Sequence, residues 1–181
     1  MELVEKGKAA ALESLNSLVV KMTWTTPTDF DLAAMIEKKN GTNELIYFGN
    51  KGNLNSHPFI ALDRDAGVGD TVDDSKEGNE ETVRIHKLDD VNKVHLLCWD
   101  YEEIKKGEHA RFKESDLKMV VIDDQKRKHS VSLDSGEFGN VVYLACIDNS
   151  LPTGASFINT SKVTTLKEFP HDSKEFMSVI N

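Results

Sequence analysis

Apolar stretches of five to nine residues, separated by turn residues, recur along the whole chain. "LVVKMTW" (Leu18–Trp24) alternates apolar and polar positions with the period of two that a half-buried strand requires. The same reading predicts strands at Asp31–Glu37, Asn43–Gly49, His57–Leu62, Glu81–Leu88 and Lys93–Tyr101. It continues with Asp116–Asp123, Lys128–Leu133, Asn140–Ile147 and Ala155–Ser161. Between them lie "KKNGTN", "NKGNLNS", "DDQKRK", "DSGEFGN" and "DNSLPTG", rich in residues that turn a chain. Ten short strands at this spacing predict an all-β fold, either a sandwich or a barrel. Two segments read differently. "KGKAAALESLNSL" near the N-terminus would make a fair helix on propensity alone. "SKEFMSVI" near the C-terminus reads as a short helix capped by Ser173.

Length and composition narrow this picture. With 181 residues the chain fits one domain. Residues 1–161 are expected to form the β domain, and 162–181 an extension or a further part of it. Apolar residues make up 39% of the chain, with two tryptophans and eight phenylalanines, enough for a core. No apolar run approaches the ~20 residues of a membrane span. The start, "MELVEKGKAAALESL", lacks the apolar core of a signal peptide, so a cytoplasmic protein is expected. Cys98 and Cys146 sit in apolar runs and read as buried free thiols.

Charge is the feature that turns the reading toward chemistry. The net charge is −9, which disfavours nucleic acid and anionic membrane. The excess is local: Asp63 to Glu81 holds eight acids and two bases. Within it, "DRDAGVGD" places Asp63, Asp65 and Asp70 among glycines that let carbonyls turn inward. Those are the oxygen donors calcium takes in sixes to eights. The alternative is a solvated acidic insertion. An EF-hand does not fit, because Gly67 and Val68 would fall where an oxygen ligand and a glycine are needed. A second acidic pair, Asp29 and Asp31, stands two apart at a strand entrance, where period two puts both on one face. No nucleophile elbow, P-loop or zinc-hydrolase motif is visible, and none of the six histidines forms H-x-x-x-H. His86 and His95 read as ordinary strand histidines.

The order of these pieces resembles the TerD-type domain of tellurium-resistance and bacterial stress proteins. Trp24 is followed by "DFDL", a strand "IYFGN", "DRDAGVGD", "GNEETV" and a strand ending at Asp100, in register from about Leu3 to Tyr101. The resemblance implies a sandwich of two mainly antiparallel sheets with calcium held in acidic loops at one end. It implies a stress or tellurite-resistance role exercised through metal and partner proteins of a resistance cluster, not through catalysis. Carried over position by position, the ligand candidates are Asp29, Asp31, Asp63, Gly67, Gly69, Asp70, Glu80, Glu81 and Asp100. Asp65 joins them from the loop composition, and Asn79 stands where the family carries an acid. Several positions depart from the pattern: Ala33 and Ala66 replace an acid and a threonine, and "TVDDSKE" (Thr71–Glu77) is inserted. The family's "WKF" and glycine-rich ending is absent. Two other readings stay open. One is a magnesium-dependent hydrolase built on Asp29, Asp31, Asp63 and Asp70, and the other a metal-free interaction module.

Overall fold

A computed structural model describes residues 1–63, 78–110 and 112–181. Two sheets face each other. The strands of the first are β1 (Glu2–Leu3), β3 (Leu18–Trp24), β6 (Gly52–Asn53), β7 (Ile60–Leu62), β8 (Asn79–Ile85), β10 (Lys118–Ile122) and β11 (Lys128–Ser132). Those of the second are β2 (Ala9–Leu12), β4 (Phe30–Lys38), β5 (Asn43–Ile46), β9 (Val91–Asp100), β12 (Val141–Asp148) and β13 (Ala155–Thr164). The first sheet runs β1-β11-β10-β3-β8-β7-β6 and the second β2-β13-β12-β9-β4-β5. All neighbours pair antiparallel except β1 with β11. The protein is therefore an all-β sandwich of two mainly antiparallel sheets.

Alternation decides which side chains meet between the sheets. β3 buries Leu18, Val20, Met22 and Trp24 and leaves Val19, Lys21 and Thr23 half-buried on the outer face. Across from it, β4 sends in Phe30, Leu32, Ala34 and Ile36, and β9 sends in Val94, Leu96 and Cys98. In β4, β9 and β12 the intervening residues are buried as well. Ala33, Met35, Leu97, Trp99, Val141, Tyr143 and Cys146 form a second apolar layer on the outer face of that sheet. A strand that is apolar on both sides needs cover on both sides. The outer cover comes from the helix α1 (Tyr101–Lys106) through Ile104, and from the C-terminal segment through Leu166, Phe169, Phe176, Met177 and Ile180. The segment ends in the helix α2 (Ser173–Ile180). β13 itself runs across residue 161, ending at Thr164.

Four sequence expectations change. Ala9–Leu12 is an edge strand, not a helix: Ala10 and Leu12 reach the core while the backbone pairs with Ala155–Ile158. Tertiary pairing overrides the helix propensity of the alanines. Around His57–Leu62 the strand starts only at Ile60, because Pro58 has no N–H to donate and Phe59 turns the backbone at φ 60°. The strand ending at Tyr101 stops at Asp100, and Tyr101 begins a helix. The C-terminal helix is present, but its cap is Asp172, whose carboxylate accepts from the Lys174 and Glu175 amides at 2.8 and 3.0 Å.

Candidate metal site

Most of the described ligand candidates collect toward one end of the sandwich, and the strand parity sorts them. β8 enters beside Trp24, with Asn79 opposite it in register. Gly78 makes that entry possible: its φ is +77°, and a Cβ there would stand 2.9 Å from the Trp24 carbonyl oxygen. Glu80 and Glu81 are neighbours on the strand, so they face opposite ways. Glu80 points outward and pairs with Lys21 at 2.7 Å. Glu81 points inward, opposite Met22, and its carboxylate crosses to the other sheet to accept the Leu32 N–H at 2.5 Å. Leu32 lies two residues before β5 begins pairing with β4 at Ala34, so Glu81 takes the place of a strand partner there. The Asn79 amide donates to the Thr26 carbonyl at 3.4 Å.

Asp63 leaves β7 on the outer face of the first sheet. Its carboxylate receives Arg84 Nε at 2.9 Å on both oxygens and Arg84 Nη2 at 2.9 Å. Asp31 shares the parity of Ala33 and Met35 and stands opposite Trp99, on the outer face of the second sheet. Asp65, Gly67, Gly69 and Asp70 lie outside the described residues. Among the described residues, no three His, Cys, Asp or Glu side chains are arranged to hold an ion by themselves.

Asp29 and Asp100 do come together. Both line a cleft of 840 Å³ between the Thr26–Asp29 turn and α1. Asp100 also caps α1, accepting the Glu103 N–H at 3.1 Å. Gly107 closes the helix at φ 70°. Burial pushes the Asp100 carboxyl above the usual carboxylate range. The Glu103 N–H opposes this, while the charges of Glu103 and Asp29 add to it. Four further acids, Glu102, Glu103, Glu108 and Glu114, line the same cleft, with Lys106 the one lysine among the described residues there. The Thr26 hydroxyl, on the cleft wall, is buried without a hydrogen-bond partner among the described residues.

Those four acids are not among the ligand candidates that the sequence offers, because "KVHLLCWDY" reads as a strand through Tyr101. The signal was present: Asp100, two glutamates in the first turn, two lysines in the last and a closing glycine spell a capped helix. Both thiols are buried and free, on opposite faces of one sheet. Burial raises Cys98 well above the ordinary thiol value, and raises Cys146 to about 11. No described helix is long and apolar enough to cross a membrane.

Comparison with known proteins adds the fold's relatives. No family model matches the chain, and no curated protein matches it in sequence. Solved structures do match. A homologue of the telluride resistance protein TerD from Streptomyces coelicolor superposes with a TM-score of 0.53 at 15% identity, over 90% of this chain and 95% of that one. The crystal structure of a protein of unknown function gives 0.52 at 12% identity, over 82% and 92%. The chain has a TerD-like fold in a divergent form.

Proposed function

We propose that this chain is a calcium-binding protein of the stress-response or tellurite-resistance type, acting through metal and protein partners and not through catalysis. The observation that carries the reading is the cleft in which Asp29 and Asp100 meet, where among the described residues six carboxylates stand against one lysine. Carboxylate oxygens are hard donors and suit calcium better than a transition metal. The donor set fits in two further respects. A cation beside Asp29 and Asp100 would offset the charge of Asp29 that bears on the buried Asp100. The Thr26 hydroxyl, without a partner among the described residues, offers a neutral oxygen on the same wall.

Asp29 and Asp100 would hold the ion, with Thr26 and water as further donors. Glu81, Glu80 and Asp63 do not line this cleft, and their contacts with the Leu32 N–H, Lys21 and Arg84 would serve the structure around the site. The fold of the TerD homologue supports the same direction. The ion would tie the Thr26–Asp29 turn to the start of α1. An ion that binds only the folded state stabilises it by about 2.7 kcal/mol at a hundredfold excess over Kd. Thermal unfolding in chelator, in calcium and in magnesium tests this. The expected result is a calcium-selective rise in Tm, and identical curves in all three would refute it.

A further inference from the structure

One row of the second sheet's outer face holds a polar side chain where none is expected. In register across five strands stand Ile158, Cys146, His95, Met35 and Leu45. Four are apolar or a thiol, and the fifth, His95, is 3% exposed. The neighbouring row toward the sheet end is charged: Asp148, Lys93 and Glu37. His95 thus lies at the boundary between the covered and the charged parts of the face.

Its two ring nitrogens are both used. Nε2 lies 3.4 Å from the Glu37 carboxylate and Nδ1 lies 2.7 Å from the Tyr143 hydroxyl. A carboxylate only accepts, so the neutral ring carries its hydrogen on Nε2 and Nδ1 accepts from Tyr143. The Cys146 sulfur stands 3.9 Å from Nδ1. Protonating the ring places a hydrogen on Nδ1, so the Tyr143 hydroxyl must turn its own hydrogen away. Burial holds His95 below the ordinary histidine value. Glu37 and Asp148 pull it back up, and Lys93 adds to the depression. The covering segment also carries Lys167, Glu168, His171, Asp172, Lys174 and Glu175, and α1 carries Glu102, Glu103, Lys105 and Lys106. Lys38 of β4 pairs with Glu44 of β5, and Lys162 of β13 reaches the Ile180 carbonyl at 3.4 Å.

A residue on the outer face of a sheet is buried only if something lies over it. Among the described residues, the cover of this layer is α1 and the segment from Leu166 to Ile180. We propose that His95, with Tyr143 and Glu37, is an acid-sensitive latch for the C-terminal segment, which lifts from the sheet when the histidine takes a proton. Lifting would expose Met35, Leu97, Trp99 and Tyr143, an apolar surface of the kind that recruits partners.

The linkage fixes the sign. The closed state binds the His95 proton less readily than the open state, so closure is complete above the ordinary value of 6.5. It weakens as pH falls from there through the lower folded value. Each pH unit inside that window changes the opening constant by up to about tenfold.

Amide hydrogen exchange of the whole chain between pH 7.5 and 4.5, corrected for intrinsic rates, reads this directly. The expected result is that protection of the α2 amides falls with acid by up to about tenfold per unit while β3 and β10 hold. His95→Gln, which keeps hydrogen-bonding capacity without titrating, should flatten the α2 response. Protection of α2 that ignores pH, or an identical response in His95→Gln, overturns the proposal. Titration of the His95 ring by NMR in the unmodified chain is the second measurement, needed if the variant does not fold. The latch requires His95 to titrate below 6.5 and the α2 amides to lose protection over that same pH range; a value at or above 6.5, or a loss of α2 protection at a different pH, overturns it.

Discussion

Replacing Glu81 separates a structural carboxylate from a ligand. Its side chain is 8% exposed and spans the gap between the sheets to take the Leu32 N–H at 2.5 Å. A hydrogen bond to a charged group contributes about 1.5–3 kcal/mol net, and a buried N–H left without a partner costs about 1–3 kcal/mol. These overlap, since both describe the loss of one contact, and removing a buried carboxylate returns part of its desolvation cost. Glu81→Ala is therefore expected to destabilise by about 2–4 kcal/mol. Glu81→Gln keeps a carbonyl acceptor for Leu32 and should cost less than about 1.5 kcal/mol. At roughly 2–4 °C per kcal/mol for a chain of this size, the alanine variant should melt about 4–16 °C lower. The assay is thermal and urea unfolding in chelator, because the Leu32 contact needs no cation. A Glu81→Ala loss below about 0.5 kcal/mol in chelator would refute the structural role. A loss seen only with calcium present would make Glu81 a ligand.

Three further outcomes follow from packing and burial. Phe176, 1% exposed and 5.2 Å from the Trp99 ring, anchors α2. Phe176→Ala should free the segment after Thr164 for limited proteolysis many-fold faster, while the urea midpoint moves less than the ~3–5 kcal/mol of a fully enclosed phenylalanine suggests, because α2 can detach alone. Cys98 and Cys146, buried and raised above the ordinary thiol range, should resist a thiol reagent at pH 7.5 and release two equivalents only in denaturant. Rapid stoichiometric labelling of the native chain would contradict that burial. A disulfide between them should not form in the native protein, because Cys98 of β9 and Cys146 of β12 lie on opposite faces of the sheet.

The strands were readable because alternation is a local signal. "LVVKMTW" could be placed residue by residue, and Leu18–Trp24 is β3. What escaped was everything set by a second layer. "KVHLLCWDY" and "VVYLACID" are apolar on both faces, and the sequence does not say what covers the outer one. The answer lies in Phe169 and Phe176, tens of residues away. For the same reason His95 read as an ordinary strand histidine, since its row in the sheet is assembled from five separate strands. At the site, sequence spacing gave Asp29 and Asp31 as a pair on one face. The fold also brings Asp29 to Asp100, at the end of the sheet where β4 pairs with β9. Glu80 and Glu81 looked like one ligand end, yet strand alternation turns them to opposite sides.

Calcium titration of the whole chain by calorimetry, beside Asp29→Asn and Asp100→Asn, tests the central proposal most directly. Asparagine still caps a helix well, so Asp100→Asn should keep α1 while removing a charge from the cleft. The account predicts saturable calcium binding by the unmodified chain and at least tenfold weaker binding in each variant, with the fold intact by circular dichroism. Binding unchanged in both variants, or no calcium binding at all, would contradict it.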